Sequence, residues 1–124
     1  MFAEVGWGDR DPGHIRTAFE KSSHVVFVYE HGELVGFGRT MDDGRYYAML
    51  VDVVVKPSAQ GRGIGREIVT WLRQQLDGYK FVTLTAAVGK DEFYLRLGWQ
   101  RQRSAMIWPM SDQQRDAHAL ASSD

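Results

Sequence analysis

The sequence predicts a mixed α/β (α+β) fold in which an antiparallel meander leads into a parallel β-α-β unit within one central sheet. Three observations carry this. Two short β-rich runs flank a glycine turn, a long amphipathic run follows a glycine-rich break, and another alternating run lies beyond it. A strand, helix, strand passage of that length implies a parallel pair joined by a right-handed crossover.

The elements follow in order. From Asp11 to Lys21 the run DPGHIRTAFEK places Ile15, Ala18 and Phe19 at helical spacing behind an Asp-Pro-Gly entry, which predicts a short helix. HVVFVYE and LVGFGRT then read as an antiparallel pair across His31-Gly32-Glu33. Asp43-Gly44 marks a second turn, and Tyr46 to Val55 is β-branched enough to supply a third strand. Lys56-Pro57-Ser58-Ala59 breaks that strand. Beyond it Ile64, Ile68, Leu72 and Leu76 recur at helical spacing, Val69 and Trp71 widen the stripe, and Gly78 stands past the helix end. Lys80 to Ala86 alternates as a strand. A short helix over Lys90 to Leu97 stops at Gly98, and Trp99 to Arg103 with Ala105 to Trp108 are expected to form a closing hairpin. One domain is expected over residues 1–110, with a polar, mobile tail over 111–124.

Composition narrows the function classes. The chain has 124 residues, no cysteine and a net charge of −1. A length of that order suits a single core. The missing cysteine removes disulfides, thiolate zinc sites and a cysteine nucleophile. Near-neutral charge provides no overall field for a polyanion or an anionic membrane, so neither nucleic acid nor membrane is expected as a partner. Arg96, Arg101 and Arg103 read as a solvated face. His14, His24, His31 and His118 have no converging spacing, so no metal site is expected. With no basic leader and no long apolar run, the expected compartment is the cytoplasm.

The informative segment is Val53-Val54-Val55, a short break, then Gln60-Gly61-Arg62-Gly63-Ile64-Gly65. Its physics is anion capture. The first amides of a helix lack partners within it, the peptide dipoles add partial positive charge there, and glycines let phosphate oxygens approach the backbone. A Walker A loop would place Lys and then Ser or Thr where Arg66-Glu67 stands. A dinucleotide fingerprint would want glycine at position 66, a βαβ start and an acid on the next strand, none of which is present. CoA is the remaining diphosphate class.

Gln60-Gly61-Arg62-Gly63-Ile64-Gly65 resembles the Q/R-x-x-G-x-G/A signature of the GCN5-related N-acetyltransferase (GNAT) superfamily. Phe93-Tyr94-Leu95-Arg96-Leu97-Gly98-Trp99 is similar to that family's F-Y-x-K-L-G-F segment, with Arg and Trp at its Lys and Phe places. The resemblance spans Val25 to Trp108 and extends to small bacterial members and the plastid serotonin N-acetyltransferase-like group, through wording such as VGWGD, GFGR and FYxxLGW. It implies a GNAT-type mixed central sheet with helices on both faces and acetyl-CoA as co-substrate. It also implies a pantetheine arm beside Val53, Val54 and Val55, and a pyrophosphate on the amides from Gln60 to Gly65.

The same resemblance makes Tyr94 the proton donor to the departing CoA thiolate. It leaves the base open, because Thr85 stands where many relatives carry Glu, and Asp52 is the best local substitute. Glu30, His24 and Tyr47 are weaker candidates, and the Asn that often precedes the tyrosine is missing. Trp7, Arg39 and Asp43 are candidates for an acceptor pocket, set against a core indole and a turn salt bridge. Nothing in MFAEVGWGDR supplies the family's usual first strand, so a bare sheet edge, and from it a homodimer, is expected. The expected activity is acetyl transfer to a primary amine, with a small molecule as the acceptor. A protein N-terminal or lysine acetyltransferase and a non-catalytic CoA-binding sensor or interaction domain are the alternatives.

Overall fold

The computed structural model describes residues 12–120. The expected absence of a first strand and the reading of Trp7 therefore lie outside the described residues. The elements run α1 (Pro12–Lys21), β1 (His24–Glu30), β2 (Glu33–Asp42), β3 (Tyr47–Val55), a 3-10 turn (Pro57–Ala59), α2 (Ile64–Gln75), β4 (Phe81–Leu84), α3 (Asp91–Arg96) and α4 (Asp112–His118). They form two compact units that divide between Thr85 and Ala86. No described helix is long and apolar enough to cross a membrane.

The first unit is built on a four-stranded sheet in the order β1-β2-β3-β4, with β1-β2-β3 antiparallel and β3-β4 parallel. The meander forms where the turns permit it. His31 and Gly32 both adopt positive φ between β1 and β2, matching the twist of a two-residue hairpin. At the next turn Asp43 Oδ1 accepts from the amides of Arg45, Tyr46 and Tyr47, which closes β2 onto β3.

Helices cover both faces of this sheet. On one, α2 buries Ile64, Ile68, Val69 and Leu72, with Leu76 just beyond. It settles there because β2 offers glycines: a Cβ on Gly38 would stand 2.5 Å from Ile68 Cγ2 and 2.8 Å from Leu72 Cδ1. Strand side chains alternate, so Phe37 faces the opposite way from Gly36 and Gly38. There it meets Phe19 of α1 with ring centroids 5.5 Å apart, and Phe27 lies 5.7 Å from the same ring.

Four expectations are corrected. Trp71 is 41% exposed and not part of the buried stripe; Val69 and Trp71 fall on opposite flanks of the helix, and only the Val69 flank turns inward. β4 stops at Leu84, so Thr85 and Ala86 lie past its end. The closing hairpin is absent: a turn forms at Arg103 and Ser104, but no ladder flanks it, and Met106 and Trp108 are 95% and 84% exposed. Neither WQRQR nor AMIW alternates as a half-buried strand does, and no strand pairs alongside them among the described residues. The segment read as tail contains α4, whose start is held by Ser111 Oγ accepting from Gln114 N at 3.0 Å while Gln114 Oε1 accepts from Met110 N at 2.7 Å.

The packing yields a paired stability prediction. Gly38→Ala is expected to lower the melting temperature by several degrees, since overpacking a filled site costs about 1–3 kcal/mol. Thr40 is fully buried, and its Oγ1 has no hydrogen-bond partner among the described residues. Thr40→Val should therefore leave the protein as stable or raise its melting temperature, because it removes an unsatisfied buried group worth about 1–3 kcal/mol. Thermal unfolding followed by circular dichroism measures both.

Candidate active site

The sequence-predicted residues fall into two sets. Asp52, Val53, Val54, Val55 and the loop from Gln60 to Gly65 lie in the first unit, and Tyr94 lies in the second. Each is described within its own unit.

In the first unit the decisive geometry is an opening in the sheet. β3 pairs with β4 only from Tyr47 to Leu50, opposite Phe81 to Leu84. From Val51 to Val55 the side of β3 away from β2 has no strand alongside it among the described residues. Opposite that stretch, Arg39 pairs with Asp52 and Thr40 pairs with Leu50, so Val51 is an extra residue in β3. Such a bulge bends the strand and re-aims its groups. Backbone donors and acceptors along an open strand side are ready to pair with an extended ligand.

The open side leads into the loop. Gln60 Nε2 donates to Val55 O at 2.9 Å, tying the loop's start to the strand's end. Gly61 and Gly63 adopt φ of 82° and 84°, the left-handed region that favours glycine, and a Cβ on either would meet nothing within 4 Å. The positive φ gives these glycines a role in the backbone turn beside the open approach expected of them. Gly63 is the N-cap of α2, and no side chain caps it. The first helical bond runs from Glu67 N to Gly63 O at 3.1 Å, which leaves the amides of Ile64, Gly65 and Arg66 without helical partners. Unpaired amides, a helix N-terminus and open space together fit a diphosphate.

Arg62 adds a cation, but an occupied one. Its Nη2 donates to Glu30 Oε1 at 2.7 Å, and both side chains are substantially exposed. Glu30, a weaker candidate for the base, thus stands as the partner of a loop cation.

The chain belongs to the GNAT acetyltransferase family. The model of the acetyltransferase (GNAT) domain matches residues 21–101. The chain is 33% identical over 101 residues to an uncharacterized N-acetyltransferase, ycf52, of Pyropia yezoensis, covering 77% of this chain and 58% of that protein. It is 34% identical over 113 residues to the chloroplastic serotonin N-acetyltransferase 2 of Oryza sativa subsp. japonica, covering 86% of this chain and 56% of that protein. The chain therefore spans a little over half the length of these curated relatives. Among solved structures, a GNAT-family acetyltransferase of Streptococcus pneumoniae superposes with a TM-score of 0.74 at 23% identity, covering 86% of this chain and 83% of that one. That likeness shows the GNAT fold.

The GNAT fold places the remaining candidates differently. Asp52 Oδ2 accepts from Arg39 Nε at 2.7 Å, and these side chains are only 11% and 14% exposed. Arg39 therefore belongs to a part-buried ion pair. Asp43 closes the turn before β3, and the amides of Arg45, Tyr46 and Tyr47 hold its carboxyl below the usual carboxylate range. Tyr94, on α3, packs edge-on against Phe93 at 5.0 Å and Trp99 at 6.4 Å. Burial pushes its phenol above its ordinary value, so it stays protonated at neutral pH. No group of three or more metal-ligating side chains occurs among the described residues.

Sequence reasoning missed the bulge at Val51 and the pairing of Arg62 with Glu30. Neither leaves a residue-type signal, because both depend on which strand positions stand opposite one another. The second has a measurable consequence. Glu30→Gln should release Arg62 and tighten binding of CoA, used as a diphosphate probe, by about two- to fivefold at low salt, in keeping with an exposed pair worth about 0.2–1 kcal/mol. The gain should shrink as salt is added. Isothermal titration of both proteins reads it, and unchanged affinity would show that Arg62 does not engage the ligand.

Proposed function

We propose that this chain transfers an acetyl group from acetyl-CoA directly to the primary amine of a small molecule. The observation that carries the reading is the open side of β3, tied through Gln60 to the loop that ends at the amides of Ile64, Gly65 and Arg66, which have no helical partners. An extended pantetheine arm matches the first and a diphosphate the second. Bound acetyl-CoA would supply an activated thioester.

The chain's own residues would then do four things. Val53, Val54 and Val55 hold the arm by main-chain hydrogen bonds. Gln60, Gly61, Arg62, Gly63, Ile64 and Gly65 hold the phosphates through backbone amides, with Arg62 exchanging Glu30 for a phosphate oxygen. A β3 amide near Val54 faces the carbonyl oxygen as it gains charge during attack by the neutral amine. Tyr94 gives its phenolic proton to the sulfur as the C–S bond breaks, and is reprotonated from solvent. The amine's proton leaves to water. The balance is one amide and one CoA thiol from one amine and one thioester.

A small acceptor is supported by the Oryza sativa relative named serotonin N-acetyltransferase 2, since serotonin is a small primary amine. Pairing of two copies along the sheet edge at β1 is part of the same reading.

An amine-panel screen for release of free CoA thiol tests the activity. At least one primary amine is expected to accelerate thiol release, and tight acetyl-CoA binding with no accelerating amine would favour the sensor alternative. Tyr94→Phe should lower kcat by about a hundredfold, within the usual range for a general acid, while leaving acetyl-CoA affinity within about twofold. The raised phenol pKa fixes the sign of the pH dependence. The neutral form is the folded-state preference and is lost only as pH rises past about 10. Turnover should therefore climb as the amine deprotonates, with no descending limb from Tyr94 below that pH.

A further inference from the structure

The part-buried ion pair of β2 and β3 stands at the one place where their register steps. Arg39 is opposite Asp52, the next β2 residue is opposite Leu50, and Val51 is the residue without a partner. Arg39 is held from several sides. Its Nε donates to Asp52 Oδ2 at 2.7 Å, and its Nη1 donates to Ser22 Oγ at 3.1 Å and reaches Ala18 O at 3.4 Å. Its guanidinium carbon lies 5.9 Å from the centre of the Phe19 ring. Ser22 Oγ in turn donates to Ala18 O at 2.8 Å, and Ser23 N donates to Thr40 O at 2.9 Å. The end of α1, the middle of β2 and the bulged residue pair of β3 are thus fastened at one guanidinium.

This fastening selects a register. A one-residue slip of β3 would carry Asp52 to the other face of the sheet and leave a part-buried guanidinium without its carboxylate. With the slip disallowed, Val51 must remain the extra residue, and the β3 groups after it must keep their direction. Those are the groups along the open side of the strand. A carboxylate committed to a part-buried guanidinium is also poorly placed to collect an amine's proton.

We propose that Arg39 and Asp52 act as positioning residues for acetyl transfer: their ion pair pins the bulge at Val51 and so aims the β3 backbone at the thioester carbonyl. The proposal rests on the acetyl-transfer reading above, and it replaces a base role for Asp52. The pair acts on the transition state more than on cofactor binding, because the phosphates are held separately by the loop from Gln60 to Gly65.

The test compares Arg39→Met, Arg39→Lys, Asp52→Asn and the Arg39→Met/Asp52→Asn double variant. Each is first checked for folding by thermal melting and for CoA binding by calorimetry. Four readouts follow: kcat, KM for acetyl-CoA, the pH profile of kcat, and amide hydrogen exchange from Val51 to Val55. The proposal expects Arg39→Met to lower kcat by about ten- to a hundredfold with the KM for acetyl-CoA little changed, as a misaimed group would. Exchange at Val51 to Val55 should rise, and the acid limb of the pH profile should stay in place. Asp52→Asn, which keeps an acceptor for Nε, should lose less than Arg39→Met, and the double variant should lose less than the product of the single losses. Arg39→Lys, which keeps the charge but cannot reach every partner, should give an intermediate kcat and intermediate exchange.

Three results would overturn it. One is a base-like pattern, in which Asp52→Asn abolishes turnover while Arg39→Met keeps it and shifts the acid limb upward. Another is exchange at Val51 to Val55 unchanged in folded Arg39→Met or Arg39→Lys. The last is strict multiplicativity of the two single losses. The exchange measurement needs no turnover, so failure of the proposal can be told apart from failure of the acetyl-transfer reading.

Discussion

The first-unit part of the candidate site depends on β4 stopping at Leu84 while β3 continues past Leu50 to Val55. Four residue pairs hold the strands together, and beyond Leu50 the far side of β3 has no strand beside it among the described residues. Backbone groups along such an open strand side are available to pair with an extended ligand. The opening is tied through Gln60 to the loop that ends at α2's N-terminal amides, and the combination of a strand side and a helix end is what a long ligand with a diphosphate requires. Neither half alone would distinguish CoA from a nucleotide or from another strand.

The rest of the first unit keeps that opening in place. α2 sits on the sheet closely because Gly36 and Gly38 present no side chain to Ile64, Ile68 and Leu72. Its start is thereby fixed relative to the end of β3, with Gln60 bonded to Val55 as a further tie. On the opposite face Phe19 packs on Phe37 and Phe27, and Arg39 is drawn under the same helix to meet Asp52. Packing energy on both faces thus converges on the strand whose edge must stay open. Tyr94 is prepared separately, by burial that keeps its phenol neutral.

The sequence displayed this arrangement unevenly. α1, β1, β2, β3 and α2 were legible because period and turn chemistry agree there: the Ile64, Ile68, Leu72 and Leu76 spacing, the glycine at the first hairpin and Asp43-Gly44 at the second. The loop stood out in the sequence as three glycines before a helical stripe, whereas the left-handed φ at Gly61 and Gly63 is a conformational need that emerges only in the structure. Trp71 misled because an aromatic beside a stripe reads as core from its hydrophobicity alone. The expected hairpin over Trp99 to Trp108 failed because WQRQR and AMIW lack the apolar/polar alternation of a paired strand. α4 was overlooked although Ser111 and Gln114 carry a capping-box spacing, since the polar composition around them reads as tail. The ion pair of Arg39 with Asp52 was out of reach for a deeper reason. Its partners are brought together by a bulged register, and a register is a property of two strands at once.

On the acetyl-transfer reading, backbone amides of the loop and the open strand side receive the thioester carrier. Backbone nuclear magnetic resonance of isotope-labelled protein titrated with CoA tests it residue by residue. Saturable shifts concentrated at the amides of Gly61, Gly63, Ile64, Gly65 and Arg66, accompanied by those of Val51 to Val55, are the predicted result. Binding that leaves these amides unmoved, or no binding by folded protein, would contradict it.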